Sequence, residues 1–399
     1  MENHLYRYEF SKSDLGEESL CLKELKYFLV PEERELDKTI HEKFPYDKYG
    51  DQNEEIRILG SKTLRDTYEK IDADKYDFLE SFDNVEYVGM SHDNQMILNF
   101  KEKEVSATSI YTFKSEFLGS FFIDKYVQYC SRNEFSDIIK ENLTTLFKKF
   151  QTKEKQYRLI RDKEDEWRIR GYTSDKYNNY DNGIVLYLTL LTIHKYAKEN
   201  DLYFYMHNAF ISDSAIYIMF EQQKPIRVNN VGDVYIGIAV SNGEIRNRTF
   251  RFDVRYRIVN PETNKGFSAI LNTSLFVIRH DYKVETVEEN LKGISRLGNF
   301  KDNILRFIND INYAEPLSAD TMYQIIRNLL NRITTSGDIS SNTKTKFKQS
   351  EILNVVKNTL TLVDFFDKVN SISTDVDERI FVERIIHQVI TDYANRTRE

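Results

Sequence analysis

Apolar and polar residues alternate most regularly between Phe250 and Ile258. Phe250, Phe252, Val254, Tyr256 and Ile258 hold the even positions, and Arg251, Asp253, Arg255 and Arg257 the odd ones. A period of two predicts an antiparallel strand, apolar side inward and polar side toward solvent. Just upstream, the apolar residues 234–240 followed by Ser241-Asn242-Gly243 predict a hairpin leading into it. Residues 157–160 and 167–170 read as two more strands around the turn-like 162–165. Asp181 or Asn182 is placed to cap a helix over 184–198, with Leu186, Leu190, Ile193 and Ala197 on one stripe. From about Val284 the spacing becomes helical. Met322, Ile325, Ile326, Leu329 and Ile333 follow a capping Ser318, and Val382, Ile385, Ile386, Val389 and Tyr393 follow Thr374 or Asp375. Residues 334–345 read as a polar loop. Near the N-terminus, short strands at 86–90 and 96–100 and a helix over 134–150 sit among polar stretches.

These elements predict an α+β fold in three parts. A mixed, acidic region covers residues 1–150, an antiparallel β-rich domain 151–283, and an all-helical domain 284–399. The polar run 148–155 marks the first boundary.

Composition narrows the function classes. With 40% hydrophobic and 30% charged residues the 399-residue chain can build a sizeable core and falls short of the disordered regime. Its apolar content leans on 26 Tyr and 26 Phe against one Trp. A net charge of −8 argues against a wholly electrostatic nucleic-acid binder, so any basic surface has to be local. Cys21 and Cys130 form no metal-type spacing and no disulfide framework, which fits a reducing compartment. The opening residues are polar and acidic, unlike a secretory signal. The densest apolar stretch, 186–193, falls far below the ~18 residues of a membrane helix. The cytoplasm is therefore the expected location, without membrane contact.

The chain carries no P-loop, Gly-x-Ser-x-Gly, His-Glu-x-x-His or Cys-x-x-Cys, and its seven histidines are scattered. No metal, cofactor or catalytic residue is expected on that basis. One outline does suggest chemistry. Gly60-Ser61 followed by Asp72-Ala73-Asp74 has the spacing of a polymerase-β-like nucleotidyltransferase, in which two strand-borne aspartates hold metals. The alternative is a capped helix and a solvated acidic turn.

Basic residues interleaved with aromatics form two further clusters. Tyr157, Arg158, Arg161, Trp167, Arg168, Arg170, Tyr172, Lys176 and Tyr177 make one, and Arg246, Arg248, Arg251, Arg255 and Arg257 the other. Guanidiniums on a sheet face can grip phosphates while exposed rings stack on bases, the way single strands are held without reading sequence. Arg251, Arg255 and Arg257 are the expected phosphate contacts, with Arg168 and Arg170 beside them and Trp167, Tyr172 and Tyr177 as stacking residues. The alternative is a solvated face offset by Asp253 and neighbouring carboxylates.

Several of these positions also carry a family resemblance. Ser174, Tyr177 and Asn182 match an "S-x-x-Y-x-x-x-x-N" turn, Gly232-Asp233 a Gly-Asp pair opening a strand, and Arg257 to Asn260 part of an Arg-x-x-Cys-x-Asn segment. Arg279-His280 ahead of a helical stretch, 284–297, matches a final Arg-His element. Across residues 160–390 the chain resembles the phage/plasmid-like family known as domain of unknown function 932. It departs where Asn260 stands in place of the family's usual Cys and Glu262 in place of its Asn. The resemblance implies a phage or mobile-element product in a bacterial cell, with no established reaction. The expected function is non-catalytic binding of nucleic acid, single-stranded, in replication, recombination or host takeover. The alternatives are an inhibitor or scaffold acting on a host or anti-phage defence complex, with a host or phage protein or a second copy as partner, and the nucleotidyltransferase.

Overall fold

The structure is a computed structural model that describes residues 4–72, 74–245, 248–309, 311, 316–349, 361–372 and 376–396. The first strands and helices are β1 (Arg7–Ser11), α1 (Lys12–Leu15), α2 (Glu35–Lys43), β2 (Ile58–Leu59) and α3 (Ser61–Asp72). Next come β3 (Lys75–Ser81), β4 (Val85–Met90), β5 (Met96–Phe100), β6 (Val105–Ser109), α4 (Phe113–Gly119), α5 (Asp124–Arg132) and α6 (Ser136–Lys149). The middle of the chain holds β7 (Glu154–Arg161), β8 (Trp167–Thr173), α7 (Asn182–Glu199), β9 (Phe204–Ser212), β10 (Ala215–Gln222), β11 (Ile226–Val228), β12 (Gly232–Gly243), β13 (Phe250–Val259) and β14 (Gly266–Ile278). Helices α8 (Val284–Leu291), α9 (Leu297–Asn309), α10 (Ala319–Thr335), α11 (Ser341–Gln349), α12 (Leu362–Ser371) and α13 (Val376–Arg396) complete it. The α+β class holds: antiparallel strands dominate the middle and helices the C-terminal part.

The strands form two sheets. The smaller runs β3-β7-β8-β6-β5-β4; the larger runs β1-β9-β10-β12-β13-β14, with β11 beside β12 and β2 beside β9. Among the described residues only β6–β8 and β2–β9 pair in parallel. The small sheet packs on α4, α5 and α6 around Phe82, Phe100, Phe117, Leu143 and Tyr157. Its order differs from the expected division at residue 150, because β7 and β8 pair back to β3 and β6 across it. Residues before β3 belong elsewhere. Leu22, Leu25, Phe28, Leu64 and Ile71 join the large core with α7, the large sheet and the C-terminal helices. Strand pairing over that distance leaves no mark in local composition.

Most predicted elements appear within a few residues of their expected bounds. Ser318 caps α10, accepting from the Thr321 amide at 3.2 Å, while Thr374 and Asp375 lie outside the described residues. Three readings change. Ser241-Asn242-Gly243 ends β12 instead of turning it, and α11 begins inside the expected polar loop 334–345. Helix α7 is buried on every side, not along one stripe. A helix apolar all round belongs inside a core, and α7 occupies that place.

A fourth change concerns the site. The even side of β13 faces the large core as predicted. At Asp253 and Arg255 the odd side does not face water, because α13 lies across it, while Arg251 and Arg257 at its two ends are half-buried.

Candidate anion-binding cleft

Covering the odd side of β13 decides the fate of its arginines. Arg255 is 1% exposed. Its Nε donates to Glu383 of α13 at 2.7 Å, its Nη2 to Ser268 at 2.6 Å, and its Nη1 to Glu221. Arg257 donates to both Glu221 oxygens, at 3.1 and 3.0 Å, and to the Tyr205 hydroxyl at 3.1 Å. Burial raises the pKa of Glu221, but Arg255, His207 and Arg257 more than offset this and hold it well below the usual carboxylate range. Asp253 is bound by Arg384 of α13 and by Ser274. The expected cationic ledge of Arg251, Arg255 and Arg257 is therefore not formed. Arg255 and Arg257 are committed to carboxylates, since a buried guanidinium left without a partner would be strongly unfavourable.

The first cluster divides in the same way. Arg158, Arg170 and Lys75 meet Asp77, Asp181 and Glu244 in a six-charge network where the two sheets touch. Arg158 donates to Asp77 at 2.6 Å and Asp181 at 2.5 Å, Lys75 to Glu244 at 2.8 Å, and Arg170 to Asp77 at 3.2 Å and to Glu244. Arg168 donates to Asp162 at 2.6 Å and pairs with Glu166 at 3.1 Å. Tyr172 is buried in the small core, 5.2 Å from the Phe117 ring. Trp167 is half-buried between the Tyr76 ring and the Arg161 guanidinium, 4.7 Å away. None of Arg168, Arg170, Tyr172 and Trp167 is placed to grip or stack on a strand.

The aspartates of the nucleotidyltransferase outline are not strand-borne. Asp72 ends α3, paired with Arg34 at 3.3 Å and Lys75 at 3.5 Å, and Asp74 sits in the following turn, accepting from Tyr6 at 3.1 Å. Ser61 spends its hydroxyl on the Ile58 carbonyl and the Leu20 amide. Among the described residues no three His, Cys, Asp or Glu side chains group as a metal site.

What remains accessible converges elsewhere. A cleft of about 900 Å³ opens between α13 and one end of the large sheet, where β10, β12 and β13 contribute Ala215, Ser241 and Arg251. Four arginines line it from separate places: Arg248 ahead of β13, Arg251 on β13, Arg279 after β14 and Arg384 on α13. Arg248 lies between the Tyr217 and Phe381 rings, 5.1 and 4.8 Å from their centroids. Among the described residues no carboxylate is within ion-pair distance of it. Such cation–π packing orients a guanidinium without neutralising it. Arg251 donates to Ser274 at 2.8 Å and stands 3.6 Å from an Asp253 oxygen, while its Nε is buried without a partner among the described residues. Arg279 and Asp281 form an exposed pair, an interaction of small energy.

Carboxylates are present too: Asp281, Asp338 and Glu378 line the same cleft. Glu378 is occupied by the Ser340 amide at 2.6 Å and the Thr343 hydroxyl. At the rim the Tyr177 ring stacks on His280, centroids 4.7 Å apart and planes within 6°. Burial pushes the His280 pKa down to about 4, so the ring is neutral at physiological pH. Tyr177 is thus the one predicted stacking residue that reaches a cationic opening, and Arg251 the one predicted phosphate contact that does. Arg279 and His280, positions of the family resemblance, meet them there. Arg384 and the aromatic clamp on Arg248 carry no local sequence signal.

Compared with family models, curated proteins and solved structures, the chain matches none. No described helix is long and apolar enough to cross a membrane.

Proposed function

We propose that the protein binds single-stranded nucleic acid in the cleft between β13 and α13, without chemistry of its own. The observation that carries this reading is Arg248, held between two rings, open to the cleft and with no carboxylate at ion-pair distance among the described residues. Arg251, Arg279 and Arg384 line the same cleft, each beside one carboxylate that a phosphate would compete with, and the Tyr177–His280 stack at the rim offers aromatic surface to a base. The resemblance to a phage/plasmid-like family supports reading this as a phage or mobile-element activity inside a bacterial cell.

Fluorescence anisotropy of a labelled single strand tests it. Binding is expected at ~50 mM salt, weakening as salt rises, with a log–log slope of about −3 if four phosphates are neutralised. Arg248→Glu together with Arg279→Glu should abolish binding while the melting temperature stays unchanged. Salt-insensitive binding, or binding that survives the double variant, rules the cleft out.

A further inference from the structure

Helix α13 separates two openings. Ile380, Phe381 and Arg384 line the cleft just described. Arg379 lines a second opening of about 740 Å³, together with Ser11, Lys12, Glu17, His207 and Asn208. Beneath it, Glu221 and Glu383 are consumed by Arg255 and Arg257. That leaves Arg379 without a carboxylate at ion-pair distance among the described residues. With its amide oriented to satisfy both neighbours, Asn208 accepts from Arg379 Nη1 at 3.2 Å, a neutral partner only. Burial, reinforced by Arg255, lowers the Arg379 pKa despite Glu383 and Glu9. Glu9 is itself bound to Arg7.

Two more groups complete the arrangement. The Lys12 ammonium stands 3.7 Å from the centre of the Tyr205 ring, and no carboxylate pairs with it among the described residues. The His207 Nδ1 is buried without a hydrogen-bond partner among the described residues, its Nε2 stands 3.8 Å from a Glu221 oxygen, and burial pushes the pKa of that imidazole down to about 3, so the ring is neutral. An under-neutralised guanidinium and an ammonium that line one opening, beside a neutral imidazole, are a donor set lacking its acceptor. A tetrahedral oxyanion suits the two cations, taking the planar guanidinium through two oxygens and leaving a third for Lys12. Glu17, exposed on the rim, disfavours a long polyanion passing over the site.

We propose that the opening bounded by Arg379, Lys12 and His207 is a second anion site, taking a single phosphate group, free or as a monoester. It does not depend on the nucleic-acid reading of the neighbouring cleft.

Isothermal titration of the full chain with inorganic phosphate and with a nucleoside monophosphate, at constant ionic strength, tests the site. Wild type is expected to bind. Arg379→Gln should weaken binding about 10- to 100-fold, the worth of one charge-assisted hydrogen bond. In phosphate-free buffer the same substitution should leave the melting temperature unchanged or raised, since it removes an uncompensated buried charge. Lys12→Gln, on an exposed side chain, gives a second reading in which folding is not at stake and should also weaken binding. Tighter binding of the monophosphate identifies an ester as ligand, and equal binding identifies the free anion. Arg248→Glu should leave phosphate binding here intact, which separates this site from the cleft. No heat of binding in wild type, or equal affinity in wild type and both variants, overturns the proposal.

Discussion

Arg255 illustrates how one buried side chain constrains its surroundings. It links β13 to Glu221 on β10 and to Glu383 on α13, and removing one partner from such a set exposes the others as unpaired buried charges. Arg255→Ala should therefore cost about 3–5 kcal/mol, measured by urea denaturation, where a solvated arginine would cost almost nothing. Histidines set the acid response. His387 of α13 is held at a pKa of about 4 by burial, with its Nδ1 against the Tyr256 hydroxyl at 3.2 Å. The unfolded chain takes up a proton near pH 6.5 and the folded chain does not. The stability this residue contributes is thus complete above about 6.5 and is lost as pH falls toward 4. His280 and His207 act in the same direction, while Asp37, raised by burial to about 6, opposes them. His387→Gln should flatten the loss between pH 6.5 and 4 by about 3 kcal/mol, read from melts across that range. The depressed histidines were not legible in sequence, because burial comes from elements far along the chain.

At the scale of elements, the local period was informative and the surroundings were not. The alternation in β13 identified the strand and its core side correctly, since Phe252, Val254 and Tyr256 are buried where predicted. The same alternation also describes a strand whose polar side meets a charged helix, and α13 is such a helix, presenting Glu383 to Arg255 and Arg384 to Asp253. Helix α7 supplies a sharper test. Gly183 lies in its first turn, where a Cβ would come within 2.2 Å of the Phe28 carbonyl and 2.3 Å of the Tyr68 hydroxyl. Alanine is worth about 1 kcal/mol more than glycine within a helix. Gly183→Ala should nevertheless destabilise, by about 1–3 kcal/mol from overpacking, because backbone and a buried ring must shift. A gain in melting temperature would show that the segment carrying Phe28 yields freely.

The whole molecule is tied together where its two sheets meet. Glu244, at the end of β12, receives Lys75 from β3, Arg170 from β8 and the Asn182 amide that begins α7. Burial raises its pKa, but Lys75, Arg170 and Arg158 hold it well below the usual carboxylate range. Glu244→Gln should lower overall stability by about 3–5 kcal/mol. Unfolding followed at Trp167, which lies on the small sheet, should then precede loss of helical circular dichroism, where wild type shows one transition. Coincident transitions would mean that the apolar contacts alone couple the sheets. The cleft belongs to this scale as well, assembled from residues 177, 248, 251, 279 and 384, and only Arg251 lay in the stripe that suggested phosphate binding.

Sequence alone determined the α+β class, the strands around Phe250 and Tyr157, the helices after Val284 and the cap at Ser318. Each follows from hydrophobic period or end chemistry within a few residues. Tertiary structure alone decided which arginines face water, because that depends on carboxylates such as Glu383, 128 positions from Arg255. Charge in a sequence is a count, whereas the field at a surface depends on which charges fold next to one another.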